Sequence, residues 1–174
     1  RAARLLRGAA GTDAGVTIHI DKRLPAGAGL GGGSSDAATT LLVLNRLWGL
    51  DININKLAEL GLSLGADVPV FVHGQAALAE GVGEILTPAS PPEPWFLLLD
   101  PRVSVSTADI FSDVELTRDT PRKKIPDLLA GGGRNDCEAV VRHRYPEVAV
   151  ALDWLNAFSP ARMTGTGGWG FAAF

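Results

Sequence analysis

The stretch of sequence that decides the fold is Leu24-Pro-Ala-Gly-Ala-Gly-Leu-Gly-Gly-Gly-Ser-Ser-Asp36. It holds five glycines within seven residues, directly before a helix predicted over residues 34–48, in which Ser34, Ser35 and Asp36 supply capping and first-turn residues. Glycine lets backbone N–H groups approach an anion closely, and the first turn of a helix presents free N–H groups at its positive end. The pattern therefore predicts a phosphate-binding loop, although glycine density alone fits a flexible loop equally well.

The kind of phosphate ligand is less clear from the loop itself. Gly27-Ala-Gly-Leu-Gly-Gly32 satisfies the GxGxxG pattern of dinucleotide-binding proteins, and Asp51 follows within the usual distance. The match is weak, because the strand predicted over residues 16–21 ends well before the glycines and Asp51 follows a helix. A Walker A loop is excluded, because no lysine follows the last glycine. A dinucleotide-dependent oxidoreductase stays open as an alternative.

Outward from the loop, strands and helices mix without a steady β-α-β rhythm, which predicts an α+β fold. Helices are predicted over residues 1–7, 34–48, 55–64, 107–111, 136–144 and 147–158. Alternation of apolar and polar residues predicts a half-buried strand over residues 16–21, and further strands are predicted over residues 76–80 and 84–86, with a buried strand over residues 95–99. Residues 162–174 are predicted as strand, glycine turn and strand. A proline-rich segment, Pro88 to Pro94, is the strongest linker signal. It predicts two subdomains, over residues 1–90 and 91–174.

The composition of the 174 residues excludes several classes of protein. A net charge of −3 does not fit a nucleic-acid-binding protein with a basic surface. The chain has one cysteine, which excludes an internal disulfide and favours a cytoplasmic setting. No apolar run approaches the roughly 20 residues that a membrane helix needs. Because the chain starts at Arg1 rather than at a methionine, we expect it to be a fragment of a longer protein. We also expect the protein to be a monomer or a homodimer.

Several motifs together resemble the GHMP kinases (galactokinase, homoserine, mevalonate and phosphomevalonate kinases), from Arg1 almost to Phe174. The motifs are Pro25–Asp36, Leu64-Gly-Ala-Asp-Val-Pro-Val-Phe71, Ala79-Glu-Gly-Val-Gly-Glu-Ile-Leu-Thr-Pro88, Asn135-Asp-Cys-Glu138 and Arg162-Met-Thr-Gly-Thr-Gly167. The resemblance implies a two-subdomain architecture, with a ribosomal-protein-S5-like N-terminal part and a ferredoxin-like C-terminal part, both truncated. The first subdomain would bind ATP and the second would lie on the substrate side.

The resemblance also implies roles for individual residues. The ATP loop would comprise Pro25, Ala26, Gly27, Ala28, Gly29, Leu30, Gly31, Gly32, Gly33, Ser34 and Ser35. Asp67 would be the catalytic aspartate, although on its own it could be a helix N-cap. Phe111 would stack on a cytosine, or else be an ordinary core residue, and Thr107 would face the same substrate. Gly165-Thr-Gly-Gly168 would support the nucleotide loop, unless it is only a hairpin turn.

The implied reaction uses ATP and Mg²⁺ to phosphorylate the 2-hydroxyl of 4-diphosphocytidyl-2-C-methyl-D-erythritol, in non-mevalonate (MEP) isoprenoid precursor biosynthesis. No protein metal ligands are predicted, since the three histidines lack metal-ligand spacing. One departure is that the family's N-terminal lysine has no match among Lys22, Lys56, Lys123 and Lys124. Two further alternatives therefore stay open, another small-molecule kinase of the same family and a nucleotide-binding module without catalysis.

Overall fold

The computed structural model describes residues 1–25 and 27–174 and divides the chain into two units. Unit 1 comprises Arg1–Arg23 and Gly31–Pro91, and unit 2 comprises Leu24–Leu30 and Pro92–Phe174. The division after Pro91 falls inside the proline-rich segment. The glycine-rich stretch is itself divided, because its first half belongs to unit 2 and its second half to unit 1. The assignment of residues 1–90 to ATP and 91–174 to the substrate stays a prediction.

Unit 1 is a cluster of helices followed by a hairpin. Its elements are α1 (Ala2–Ala10), α2 (Gly32–Leu47), α3 (Ile54–Leu62), α4 (Val68–His73), β1 (Ala77–Glu80) and β2 (Ile85–Pro88), and β1 and β2 pair antiparallel. Each helix contributes to one core at helical spacing, with Leu6 from α1, Leu41 and Leu44 from α2, Leu57 from α3 and Val68 from α4. Burial of these side chains holds the four helices together.

Unit 2 packs helices on an antiparallel sheet. Its elements are β3 (Phe96–Leu99), α5 (Thr107–Phe111), α6 (Ile125–Asp127) with a π-helical turn after it (Leu128–Gly132), α7 (Cys137–Arg144), α8 (Pro146–Asn156), β4 (Ala161–Met163) and β5 (Gly170–Ala173). The strand order is β3-β5-β4, with Leu98 opposite Phe171 and Arg162 opposite Phe171. Ile110, Val141, Val148 and Leu152 form a fully buried core.

Two strand predictions were wrong in part. Residues 16–21 pair with no strand in the described part of the chain, and Val16, Ile18 and Ile20 are exposed. Alternation marks one apolar face, but a strand also requires a second strand to take its backbone hydrogen bonds. The strand at residues 95–99 was expected to be buried, and β3 is instead a half-exposed edge strand with β5 as its partner. Within residues 1–25 and 27–174, every helix is too short or too polar to cross a membrane.

Candidate functional site

The second half of the glycine-rich stretch leads directly into α2. The helix begins at Gly32, two residues earlier than predicted, and its N-cap is Gly31, at φ 67°. Ser34 and Ser35 therefore lie inside the first turn and do not cap the helix from outside. Because glycine has no side chain to bond the first N–H groups, these donors remain open at the positive end of a 16-residue helix. This is the arrangement that binds phosphate.

Within unit 1, this helix start lies against the segment that carries Asp67. A Cβ atom added to Gly31 would lie 2.8 Å from Cζ of Phe71, so the ring occupies the space that a side chain would need. A Cβ on Gly65 would lie 3.7 Å from Oγ of Ser34. Unit 1 therefore brings the end of the glycine loop and the residues on both sides of Asp67 together.

Asp67 holds the N-cap position of α4 but does not act as a cap. Its side chain accepts no hydrogen bond from the helix, and the residue is exposed. Its carboxylate has neither a hydrogen-bond nor an ion-pair partner among the described residues. Asp67 is thus the N-cap residue of α4 by position, as the alternative interpretation expected, but its side chain makes no capping hydrogen bond. The carboxylate is free to accept a proton or a hydrogen bond from a ligand.

Within unit 2, the first half of the glycine-rich stretch packs on the loop that joins β4 to β5. Oγ1 of Thr164 donates a hydrogen bond of 2.6 Å to the carbonyl oxygen of Ala28, and both residues are buried. A Cβ on Gly29 would lie 2.8 Å from Oγ1 of Thr164, and one on Gly167 would lie 2.9 Å from the carbonyl carbon of Ala28. Residues 165–168 are thus both a hairpin turn and a support for the glycine-rich stretch. Ala26, which was predicted to belong to the ATP loop, lies outside the described residues.

Two side chains hold the β4–β5 loop, one from Asn135 just before α7 and one from Thr107 on α5. Nδ2 of Asn135 donates to the carbonyl oxygens of Met163 (3.2 Å) and Gly165 (2.6 Å), while its Oδ1 accepts from the Cys137 N–H (3.0 Å). The hydroxyls of Thr107 and Thr166 lie 2.7 Å apart. Thr164 and Asn135 both lie inside motifs that resemble the family, but the sequence predicted no role for either residue. Each role is a contact between segments that lie far apart in the sequence, and local sequence patterns do not indicate such contacts.

Phe111 presents its ring outward from α5. Its residue is 53% exposed, whereas the preceding Ile110 is fully buried and anchors the helix. Nη2 of Arg118 donates to the Phe111 carbonyl oxygen at 2.6 Å, which fixes the end of α5. The interpretation of Phe111 as a core residue is therefore wrong. An exposed aromatic ring on a fixed backbone is suited to stacking on a planar ligand.

Two other chemistries fit the described residues poorly. Asp51 lies in the loop between α2 and α3, at φ 52°, and no strand precedes the glycines in the described part of the chain. The β-α-β unit that a dinucleotide fingerprint requires is therefore missing from those residues. No group of three or more His, Cys, Asp or Glu side chains within them could hold a metal ion.

One titratable group near the site has a shifted pKa. Burial, and secondarily the negative charge of Asp136, raise the pKa of the Cys137 thiol above its ordinary value. The thiol therefore stays protonated at neutral pH, which makes it a poor nucleophile.

Comparisons with known proteins agree with this geometry. Residues 1–75 match the GHMP kinases N terminal domain. The chain is 62% identical over 174 residues to the 4-diphosphocytidyl-2-C-methyl-D-erythritol kinase of Ectopseudomonas mendocina (strain ymp), covering 100% of this chain and 60% of that protein. It is 61% identical over 173 residues to the protein of the same name from Chromohalobacter salexigens, covering 96% of this chain and 58% of that protein.

A solved structure is similar over nearly the whole chain. It is a crystal structure of 4-(cytidine 5'-diphospho)-2C-methyl-D-erythritol kinase, with a TM-score of 0.82 and 33% sequence identity. The match covers 99% of this chain and 66% of that chain. The chain thus spans about 60% of the length of the first curated relatives it matches.

Proposed function

We propose that this chain belongs to the GHMP kinase family and that it phosphorylates the 2-hydroxyl of 4-diphosphocytidyl-2-C-methyl-D-erythritol with ATP. The observation that carries the proposal is the start of α2 at Gly32, where no side chain caps the helix. Within unit 1 this helix start packs against the segment that carries Asp67. A phosphate cradle beside a free carboxylate is what transfer of a phosphoryl group to an alcohol needs. The 62% identity to a kinase of that name supports this substrate over that of another family member.

The triphosphate of ATP would be held by the glycine-rich loop and the first turn of α2. Gly29 and Gly31 both have positive φ, and a side chain at either position would meet Thr164 or Phe71. At these two positions no side chain covers the backbone, which suits the binding of a large anion. Bound ATP supplies the γ-phosphoryl group. The hydroxyls of Ser34 and Ser35 could contact its phosphates or an accompanying Mg²⁺, which would neutralise the charge that develops during transfer.

Asp67 would orient the attacking hydroxyl and accept its proton as the new oxygen–phosphorus bond forms. A carboxylate without another partner can make a hydrogen bond of this kind at no cost to the fold. Its backbone is held on one side by Val68, which is 1% exposed and packed in the core of unit 1. We therefore assign proton acceptance to Asp67 and not to Glu80 or Glu84, which lie on the β1–β2 hairpin and its turn.

The cytosine end of the substrate would stack on Phe111. The hydroxyl of Thr107, one helical turn earlier on α5, lies 2.7 Å from the Thr166 hydroxyl and can also reach a ligand group.

We further propose that the protein is cytoplasmic, where Cys137 stays reduced. We also propose that it is a monomer or homodimer and that it serves isoprenoid precursor biosynthesis.

The proposal is tested by ADP release in the presence of ATP and Mg²⁺. We would use a hybrid enzyme in which this chain replaces the matching segment of the Ectopseudomonas mendocina kinase, with that kinase itself as the control. ADP release that requires 4-diphosphocytidyl-2-C-methyl-D-erythritol is the expected result. A hybrid enzyme that folds but releases no ADP would overturn the proposal. Comparable turnover with homoserine or mevalonate would show that the proposed substrate is wrong and that another alcohol is the acceptor.

A further inference from the structure

The β1–β2 hairpin ends in a short turn whose shape is set by its own hydrogen bonds. Glu80 pairs with Ile85, so the turn comprises residues 81–84. The Gly83 N–H donates to the Glu80 carbonyl oxygen at 3.2 Å, and the Val82 N–H donates to Oε2 of Glu84 at 2.7 Å. These bonds make the turn a defined surface and not a loose loop.

This turn rests on the peptide group that joins Ala66 to Asp67. A Cβ atom added to Gly83 would overlap the Ala66 carbonyl oxygen and would lie 2.8 Å from its carbonyl carbon. Both partners in this approach are backbone, so no flexible side chain could move aside. The Ala66 carbonyl and the Asp67 N–H belong to one planar unit, and the position of that plane therefore sets the position of Asp67.

The other side of Asp67 is anchored in the core. Val68 is 1% exposed, and its N–H donates to the Gly65 carbonyl oxygen at 3.1 Å. A Cβ on Gly61 of α3 would lie 2.7 Å from Cγ1 of Val68. The carboxylate of Asp67 is exposed, but its backbone is held on both sides. The hairpin turn contacts the preceding residue, Ala66, and the following residue, Val68, is buried in the core.

We propose that Gly83 is a positioning residue for Asp67, acting through the Ala66–Asp67 peptide group. The inference rests on the proposed function of Asp67 as proton acceptor. A proton acceptor works only within hydrogen-bond reach of the hydroxyl, and a misplacement of the order of 1 Å can lower the rate roughly 100-fold. Any residue larger than glycine at position 83, where φ is +106°, must displace either the turn or this peptide group.

The first test compares Gly83→Ala with Gly74→Ala. Gly74 ends α4 at φ +66° and a Cβ there meets nothing within 4 Å, so its substitution also places a side chain at positive φ but makes no contact. In the hybrid enzyme we expect Gly83→Ala to lower kcat roughly 10- to 100-fold with the KM for ATP unchanged. We expect Gly74→Ala to leave kcat within about twofold. Equal kcat values for the two variants would overturn the proposal.

A double-mutant cycle separates positioning from a general loss of structure. If Gly83 acts through Asp67, Gly83→Ala will lower kcat in the parent but will cost less than about twofold in the Asp67→Asn background. The same fold-loss in both backgrounds would overturn the proposal. A full rate for Asp67→Asn alone would instead refute the proposed role of Asp67.

One further measurement tests the contact without turnover, and a second variant keeps the inference testable if Gly83→Ala does not fold. In the 174-residue chain, the backbone amide resonances of Asp67 and Val68 should shift in Gly83→Ala and stay in place in Gly74→Ala. Unshifted resonances in both would contradict the contact itself. If Gly83→Ala does not fold, Glu84→Ala removes the acceptor of the Val82 N–H without adding bulk. It should lower kcat several-fold, and an unchanged kcat would count against the proposal.

Discussion

Thr164 donates a hydrogen bond of 2.6 Å from its Oγ1 to the carbonyl oxygen of Ala28, 136 residues earlier in the chain. The bond is buried and joins the β4–β5 loop to the first half of the glycine-rich stretch. It places two motifs that are far apart in sequence in direct contact within unit 2.

Removal of this bond should destabilise the protein and loosen the loop. Thr164→Val keeps the side-chain volume but leaves a buried carbonyl oxygen without its donor, so we expect a loss of about 1–3 kcal/mol in the free energy of unfolding. Urea denaturation measures this loss. The KM for ATP of the hybrid enzyme should rise as well. Thr164→Ser retains the hydroxyl and is the matched control, and equal stability of the two variants would show that the bond contributes nothing.

Asp67→Asn should remove catalysis and leave the fold intact. The amide has a similar shape but cannot accept the proton, so we expect kcat of the hybrid enzyme to fall about 10²- to 10⁴-fold. The exposed carboxylate has no partner among the described residues, so the free energy of unfolding should change by less than about 0.5 kcal/mol. An unaltered kcat would show that another group takes the proton.

Phe111→Ala should weaken binding of the cytidine-containing substrate. Stacking of a base on an aromatic ring contributes about 1–3 kcal/mol, which corresponds to a rise in KM of roughly 5- to 150-fold. The KM for ATP should not change. Phe158→Ala, which removes another exposed ring of unit 2, is the control and should leave both KM values unchanged. A normal substrate KM for Phe111→Ala would exclude the stacking role.

Arg144→Ala should destabilise unit 2. Arg144 forms an ion pair with Asp113, which is 6% exposed, and removal of the guanidinium leaves that carboxylate buried without its charge partner. We expect a loss of about 1–3 kcal/mol. Arg142, on the same helix as Arg144, pairs with Asp153 of α8, which is 65% exposed. The loss of stability in Arg142→Ala should therefore stay below about 1 kcal/mol. Thermal unfolding compares the two, and a reversed order would contradict this account.

The Cys137 thiol should be unreactive in the folded protein. Burial raises its pKa, so the folded state holds the proton at pH values where the unfolded chain has already lost it. Its contribution to stability is complete below the ordinary thiol pKa, about 8.5, and declines as the pH rises above that value. A thiol reagent at pH 8 should label the native chain far more slowly than the denatured chain. Equal rates would show that the thiol is accessible.

Local features of the site could be predicted because they depend on neighbouring residues. Glycines before a helix predict a phosphate loop, and α2 does follow them, although it begins at Gly32 instead of Ser34. The alternation of residues 16–21 was a poor guide, since a strand needs a partner that the described residues do not supply. Likewise, the apolar run at residues 95–99 predicted the strand β3 but not its position at the edge of the sheet.

The sequence by itself determined the resemblance to the GHMP kinases, the candidate phosphate loop and the candidacy of Asp67 and Phe111, because each depends on residue types at fixed short spacing. Only the tertiary structure decided that Thr164 bonds Ala28, that Asn135 holds the β4–β5 loop, and that Gly83 rests on the Ala66–Asp67 peptide group. It also decided that the Asp67 side chain makes no capping hydrogen bond and that the Phe111 ring faces outward. Contacts between distant segments depend on how the helices and strands pack, and the spacing of residues along the chain carries no record of that packing.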